Sequence, residues 1–189
     1  MPSILDGLPK SEAEMKQAHL GSSILLGEYI AGAKELSPKA KSIFEALGEG
    51  LSLADIMKIS KQEREALLVQ GYRQLQHGDH AGAQNTLTTL YHLEPTDERV
   101  VYALAAAYQA QEQYATAGKL YLTFLALDAT NPQGYLRLAE CFMANREFDE
   151  ARAHFEAAKV QAAGTKAAAA VSAHADAMLA VIESRAAAA

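Results

Sequence analysis

Long apolar runs are missing from this 189-residue chain. No stretch approaches the roughly 20 residues that span a bilayer; the nearest, 167–182, is mostly alanine and is interrupted by Ser172, His174 and Asp176. A soluble protein without direct membrane insertion is expected. Excess positive charge is also absent: 17 Lys and Arg stand against 23 Asp and Glu, a formal charge of −6, which disfavours nucleic acid and anionic membranes as partners. Alternating Val/Ile/Thr-rich segments are lacking, which argues against a sheet and for an all-α protein. Cys141 is the single cysteine, so an intramolecular disulfide is excluded, and Met1–Asp6 has neither the basic nor the apolar part of a signal peptide. A cytoplasmic location is the expectation.

Catalytic patterns are equally scarce. His77 and His80 flank Gly78 and Asp79 without a third ligand at metal spacing. Gly48, Glu49 and Gly50 lack the Lys and Ser/Thr of a phosphate loop, and no His or Asp can be assigned as a partner to Cys141. The acidic residues Glu63, Glu65, Asp97 and Glu98 lie near helix starts, where they favour the helix dipole. No catalytic set, metal site or cofactor is expected, and the chain does not read as an enzyme.

What is present is a repeat. Ala83, Ala117 and Ala151 lie 34 residues apart, each followed four residues later by a bulky partner, Leu87, Tyr121 or Phe155. That period is the signature of a tetratricopeptide array, built of helix-turn-helix units. With repeats beginning at Arg64, Glu98 and Pro132, the eighth position carries Gly71, Ala105 and Ala139, small residues where two helix axes approach within about 8–10 Å. The fourth and seventh positions hold Leu67 with Gln70, Val101 with Leu104, and Tyr135 with Leu138, one helical face in each case; only Gln70 is out of character. The eleventh holds Gln74, Tyr108 and Phe142, and the seventeenth His80, Tyr114 and Phe148. The first repeat is the most degenerate, although it keeps a turn glycine, Gly78, and a closing proline, Pro95.

The organisation follows from these signals. Residues 1–10 contain two prolines and few anchors and read as a flexible segment. Residues 11–60 read as an N-terminal helical region, with a possible capping box at Ser11 and Glu14, a helix restart at Ser37-Pro38, a stop at Gly48–Gly50 and a short segment capped by Ser52. The repeats occupy 61–165 (64–97, 98–131 and 132–165), with helices expected at about 62–77, 80–92, 97–110, 114–127, 132–145 and 148–161. Gly164 ends the array. Residues 166–189 form a C-terminal capping helix with Val171, Met178, Leu179 and Ile182 as its larger apolar residues and a frayed end, covering the exposed face of the stack. The fold class is therefore an all-α tetratricopeptide-repeat superhelix of three repeats, with N-terminal helices and a C-terminal cap.

The first helix of each repeat lines the concave side, so the register names the residues a ligand would touch. The fifth, ninth and twelfth positions are Leu68, Tyr72 and Leu75; Tyr102, Ala106 and Gln109; Leu136, Glu140 and Met143. Most are apolar, and Leu, Tyr and Met presented together suit adaptable recognition of an extended peptide. The alternative is that some of them meet the N-terminal segment or a second copy of the chain.

The run from Gly50 through Leu51, Ser52, Leu53, Ala54 and Asp55 to Ile56, directly before three repeats and a closing helix, together with Gly71-Tyr72, Gly78 and the run Arg137 to Phe142, resembles the class II chaperones of bacterial type III secretion, the SycD, LcrH and IpgC group. The resemblance spans roughly residues 38–182. It implies a chaperone in the bacterial cytoplasm that binds hydrophobic translocator proteins, two of them, through an extended segment in the concave groove and keeps them soluble and export-competent. It also implies that N-terminal helices mediate a homodimer, for which Leu25, Tyr29, Ile43, Phe44 and Leu47 are the candidate residues. This chain departs from the group in a longer segment before Ser37 and in Gln70, Gln74 and Leu75, where relatives are richer in aromatics. Two other readings stay open: a general repeat adaptor or co-chaperone that recognises another protein's tail, and a regulatory homodimer whose groove is filled by its own N-terminus and which binds a transcriptional regulator when clients have left.

Overall fold

The computed structural model describes residues 3–8 and 38–187. Their regular structure is entirely helical: α1 Pro38–Gly48, α2 Leu53–Ile56, α3 Lys61–Gln76, α4 His80–Leu93, α5 Glu98–Ala110, α6 Tyr114–Leu127, α7 Pro132–Ala144, α8 Phe148–Ala162 and α9 Ala168–Ala187. Among the described residues no helix is long and apolar enough to cross a membrane. The chain divides into two compact units, Leu5–Ile59 and a repeat unit made of Ser60–Ala189 together with Met1–Ile4.

In the smaller unit, α2 begins at a reciprocal cap: the Ser52 hydroxyl oxygen accepts the Asp55 N–H at 3.2 Å, and the Asp55 carboxylate accepts the Ser52 N–H at 3.1 Å. Ala54 is buried there. Of the candidate dimer residues, Leu47 is exposed on α1 and Ile43 is half-buried. Leu25, Tyr29 and the side chain of Phe44 lie outside the described residues, as does the part of the N-terminal helical region from Ser11 to Ser37.

The repeat unit starts with a second reciprocal cap. Ser60 Oγ accepts from the Glu63 N–H at 3.3 Å while the Glu63 carboxylate accepts the Ser60 N–H at 2.8 Å, which begins α3 at Lys61. Asp79, Asp97 and Asn131 cap α4, α5 and α7 through their side chains, and Pro132 occupies the first turn of α7. The inner helix of each repeat then ends in the same way. Gly78, Glu112 and Arg146, spaced at the repeat period, take left-handed φ values of 77°, 60° and 67°. The next amide in each case reaches back to the carbonyl five residues earlier: Asp79 to Gln74, Gln113 to Tyr108 and Glu147 to Phe142, each at 2.9–3.0 Å. This is the Schellman closure, which satisfies carbonyls the helix end would otherwise leave open.

Successive helices pack in sequence, α3 on α4, α5 on α6 and α7 on α8, with α4–α5 and α6–α7 contacts joining the repeats and α9 lying on α8 and, more lightly, on α7. The alanines that revealed the period, Ala83, Ala117 and Ala151, are wholly buried, and so are Leu87, Tyr121 and Phe155 beside them. At the eighth position a methyl group on Gly71 would lie 2.6 Å from Leu87 Cγ and Cδ2, so the first repeat closes more tightly than the space of an alanine. Val171, Ala175 and Ile182 are the face of α9 that turns inward. This helix starts a turn later than Thr165, because the Thr165 hydroxyl donates to the Ala162 carbonyl at 2.7 Å and accepts the Ala167 N–H, holding a turn instead.

The segment read as flexible departs from that expectation at Ser3 and Ile4. Ile4 is completely buried, and a methyl group on Gly118 of α6 would lie 2.6 Å from its Cγ2. A single apolar anchor suffices where the partner surface leaves a vacancy shaped for it.

Two stability measurements check this account by thermal or urea unfolding followed by helical circular dichroism. Gly71→Ala is expected to destabilise the repeat unit by about 1–3 kcal/mol, because the buried Leu87 must move to admit a methyl group. Glu112→Gly is expected to stabilise it by roughly 0.5–1 kcal/mol, the relief of a left-handed non-glycine residue less the entropy glycine adds to the unfolded chain.

Candidate functional site

The inner helices α3, α5 and α7, continued by α9, form a trough along one face of the repeat unit. Their polar and aromatic side chains arrive there through the same register that packs the helices, one residue further round. Two recesses adjoin in it. The first, about 300 Å³, is lined by Tyr72, Glu98, Arg99, Tyr102, Phe124, Asn131 and Gln133. The second, about 190 Å³, is lined by Gln133, Leu136, Arg137, Glu140, Ala170, Val171 and His174.

The first recess is aromatic. Tyr102 meets Tyr121 and Phe124 edge-on, with ring centroids 5.5 Å and 5.1 Å apart, and Tyr72, 37% exposed, stands at the opening with its hydroxyl 3.4 Å from the Arg99 carbonyl it donates to. Partial burial and the neighbouring Tyr102 raise the Tyr72 phenol above its ordinary range, so it stays neutral. Arg99 is held at the rim by Asp97 at 2.8 Å and by Glu65, its register equivalent one repeat earlier, at 3.1 Å. Hydrogen bonding to Asp97 is the main reason its guanidinium lies above its usual range.

The second recess sets the apolar side chains of Leu136, Ala170 and Val171 beside a polar network organised on one carboxylate. Glu140 Oε2 accepts from Gln109 Nε2 at 2.8 Å and from Arg137 at 3.0 Å, while Oε1 lies 2.8 Å from His174 Nε2. Gln109 Oε1 in turn accepts the hydroxyl of Tyr121 at 2.9 Å. Tyr121 is fully buried, and burial pushes its phenol well above the ordinary range. Burial works against the charge of Arg137, but Glu140 and the Tyr102 hydroxyl outweigh it and hold the guanidinium above its usual range. A chain of hydrogen bonds therefore runs from the core of the second repeat to the capping helix, and its members polarise one another in the sheltered trough. Cys141, behind it, is buried, and burial pushes its thiol up to about 12, which suits a packing group.

The nine residues named by register are distributed unevenly. Tyr72 and Tyr102 share the first recess; Leu136 and Glu140 share the second, tied to Gln109 by a hydrogen bond. Leu68 and Leu136 are only 3% and 5% exposed, and Leu68 belongs to the core cluster with Leu87, Leu90 and Leu104, against which Leu75 packs. Leu75, Ala106 and Met143 are half-buried and line neither recess. Register reasoning passed over Arg99, Gln133, Arg137 and His174. His174 carried a signal, since it follows Glu140 at the repeat spacing and continues the ninth position into α9. Phe124 carried none, because it belongs to an outer helix and reaches the trough from behind.

A trough of this build can take an extended segment, with apolar side chains in the aromatic recess and backbone groups against Asn131, Gln133 and the Glu140 network. Comparison with known proteins is consistent with that use. A tetratricopeptide-repeat family model matches residues 109–175. Among curated protein sequences none matches. Solved structures do: a chain of a type III secretion complex from Aeromonas hydrophila has a TM-score of 0.71 and 28% identity, covering 77% of this chain and 97% of that one. The translocator chaperone SycD of Yersinia enterocolitica has a TM-score of 0.64 and 26% identity, covering 69% and 97%. PcrH of Pseudomonas aeruginosa, solved with the chaperone binding region of PopD, has a TM-score of 0.64 and 30% identity, covering 67% and 96%. With nearly the whole length of these proteins matched, the repeats, the cap and the trough point the same way: the chain belongs to the class II translocator chaperones of type III secretion systems.

Proposed function

We propose that this protein binds an extended segment of a hydrophobic translocator in its inner trough and keeps that client soluble and competent for export in the bacterial cytoplasm. The observation that carries the reading is the aromatic recess lined by Tyr72, Tyr102 and Phe124 together with Glu98, Arg99, Asn131 and Gln133. The relatives support it: PcrH is solved with the chaperone binding regions of PopD and of PopB, and SycD with a peptide of the translocator YopD. Two clients per chaperone follow for this chain by the same likeness.

A translocator carries helices meant for lipid, and in water they associate with one another. Holding a short anchor segment early prevents this. A groove already formed pays little ordering cost, so the surplus appears as affinity, and contacts beside the anchor keep the rest of the client non-native. Of the nine register residues, Tyr72, Tyr102 and Leu136 are the proposed apolar contacts, with Gln109 and Glu140 presenting polar groups to the client backbone. Leu68, Leu75, Ala106 and Met143 act as support for that surface. For self-association, Ile43 and the exposed Leu47 on α1 are the proposed contacts of a homodimer; SycD has also been solved as an alternative dimer.

The test is co-purification of the full chain with each hydrophobic secreted protein encoded nearby, then proteolysis to find the protected client segment. Tyr72→Glu is expected to weaken client binding by about 2 kcal/mol or more, roughly thirtyfold, with helical circular dichroism unchanged because the side chain is exposed. Tyr102→Ala is expected to lose client and some fold stability together, since its ring also braces Tyr121 and Phe124. Full client binding by the Tyr72→Glu protein would remove the trough from the proposal.

A further inference from the structure

The outer face of the repeats carries an occupied recess whose chemistry is separate from the trough. Ile4 is fully buried against α6 at Gly118. A methyl group at that glycine would come within 2.6 Å of Ile4 Cγ2 and 2.9 Å of Cδ1, so the vacancy exists because position 118 has no side chain. The equivalent positions of the first and third repeats carry Gln84 and Arg152. Only the second repeat can admit a branched aliphatic group there.

The polar half of the recess is Glu147, the residue that precedes α8. Its carboxylate accepts the Ile4 N–H at 2.9 Å through Oε1 and the Ser3 hydroxyl through Oε2, and the Asn145 amide donates to Oε1 from the side. Glu147 makes no side-chain cap to its own helix, as Gln113 makes none before α6, whereas Asp79, its equivalent in the first repeat, caps α4. The Glu147 carboxylate holds a segment distant in the chain. Burial would raise its pKa, but the hydrogen bonds from Ser3, Ile4 and Asn145 more than offset this and hold it below the usual carboxylate range.

We propose that Gly118, Asn145 and Glu147 form a second peptide-binding site on the outer face, selective for a small hydroxyl residue followed by a β-branched aliphatic one, and that Ser3–Ile4 of the same chain is its resident ligand. The carboxylate reads one backbone N–H and one hydroxyl, and the missing side chain at 118 reads the branched group. Neither half would bind usefully alone: a lone exposed hydrogen bond to a carboxylate is weak, and a lone isoleucine has no orientation. The segment is covalently tethered, so its effective concentration at the site is high and a free peptide competes poorly while it is seated.

The experiment removes residues 1–8 from the otherwise full chain and titrates it with a fluorescently labelled peptide of the sequence Met-Pro-Ser-Ile-Leu-Asp-Gly-Leu. Saturable binding to the shortened protein is expected, at least about tenfold weaker binding to the full chain, and loss of binding when the shortened protein also carries Gly118→Leu. No saturable binding to a shortened protein that keeps its helical circular dichroism overturns the proposal. So does equal binding to both lengths, or binding that Gly118→Leu leaves intact. If the shortened protein unfolds, hydrogen exchange on the full chain decides: slow exchange at the Ile4 amide that becomes fast in Glu147→Gln supports the site, and an unprotected amide overturns it. A dimer of the full chain that dissociates on Ile4→Asp would place the segment on a second copy and overturn its assignment to the same chain.

Discussion

Close approach of paired helices is the constraint on which the rest of the repeat unit depends. Gly71, Ala105 and Ala139 on the inner helices, and Ala83, Ala117 and Ala151 on the outer ones, let backbones pack without a side chain between them. Larger residues then fill the spaces either side, Leu87, Tyr121 and Phe155 among them. Because this approach repeats at a fixed interval, the inner helices fall side by side and their adjacent faces generate the trough. The binding surface is thus a by-product of the packing rule, and its floor cannot be altered without touching the core.

That coupling shows at the aromatic recess. Tyr102 presents one edge to the opening and meets Tyr121 and Phe124 with the rest of its ring, and the buried Tyr121 hydroxyl begins the hydrogen-bond chain through Gln109 to Glu140. Affinity for an apolar segment and the internal order of the second repeat draw on the same side chains. Tyr72 stands further out, with its hydroxyl on the Arg99 carbonyl. The trough is also less oily than a count of Leu, Tyr and Met implies. Toward α9 it holds Glu140, shared among Gln109, Arg137 and His174, beside Leu136, Ala170 and Val171, so a guest there would meet hydrogen-bonding groups as well as apolar ones.

Inner and outer faces solve the same problem differently. Inside, an opening is left between packed helices. Outside, a single missing side chain at Gly118 makes a vacancy that Ile4 fills, with Glu147 supplying orientation. A regular array departs from its own pattern at such a place: position 118 is small only in the second repeat, where the first and third carry Gln84 and Arg152.

The amino-acid sequence alone determined the helix pairs, their register and several of their ends. Small residues at fixed intervals, Asp97 and Asn131 before helices, Pro132 in a first turn and Gly78 at a left-handed turn are local signals whose physics acts within a few residues. Locality is also why the turns at Glu112 and Arg146 went unread, since neither residue type announces a positive φ. Tertiary structure decided what is open and what is closed. Leu68 and Tyr72 lie four residues apart on one face of α3, yet Leu68 is sealed into the core with Leu90 and Leu104 while Tyr72 reaches solvent. It also decided that Phe124 enters the trough from an outer helix, that His174 completes the Glu140 network, and that Ile4 finds Gly118. Each of these depends on groups remote in the chain meeting at a distance of a few ångströms, and no periodicity within a single helix encodes that meeting.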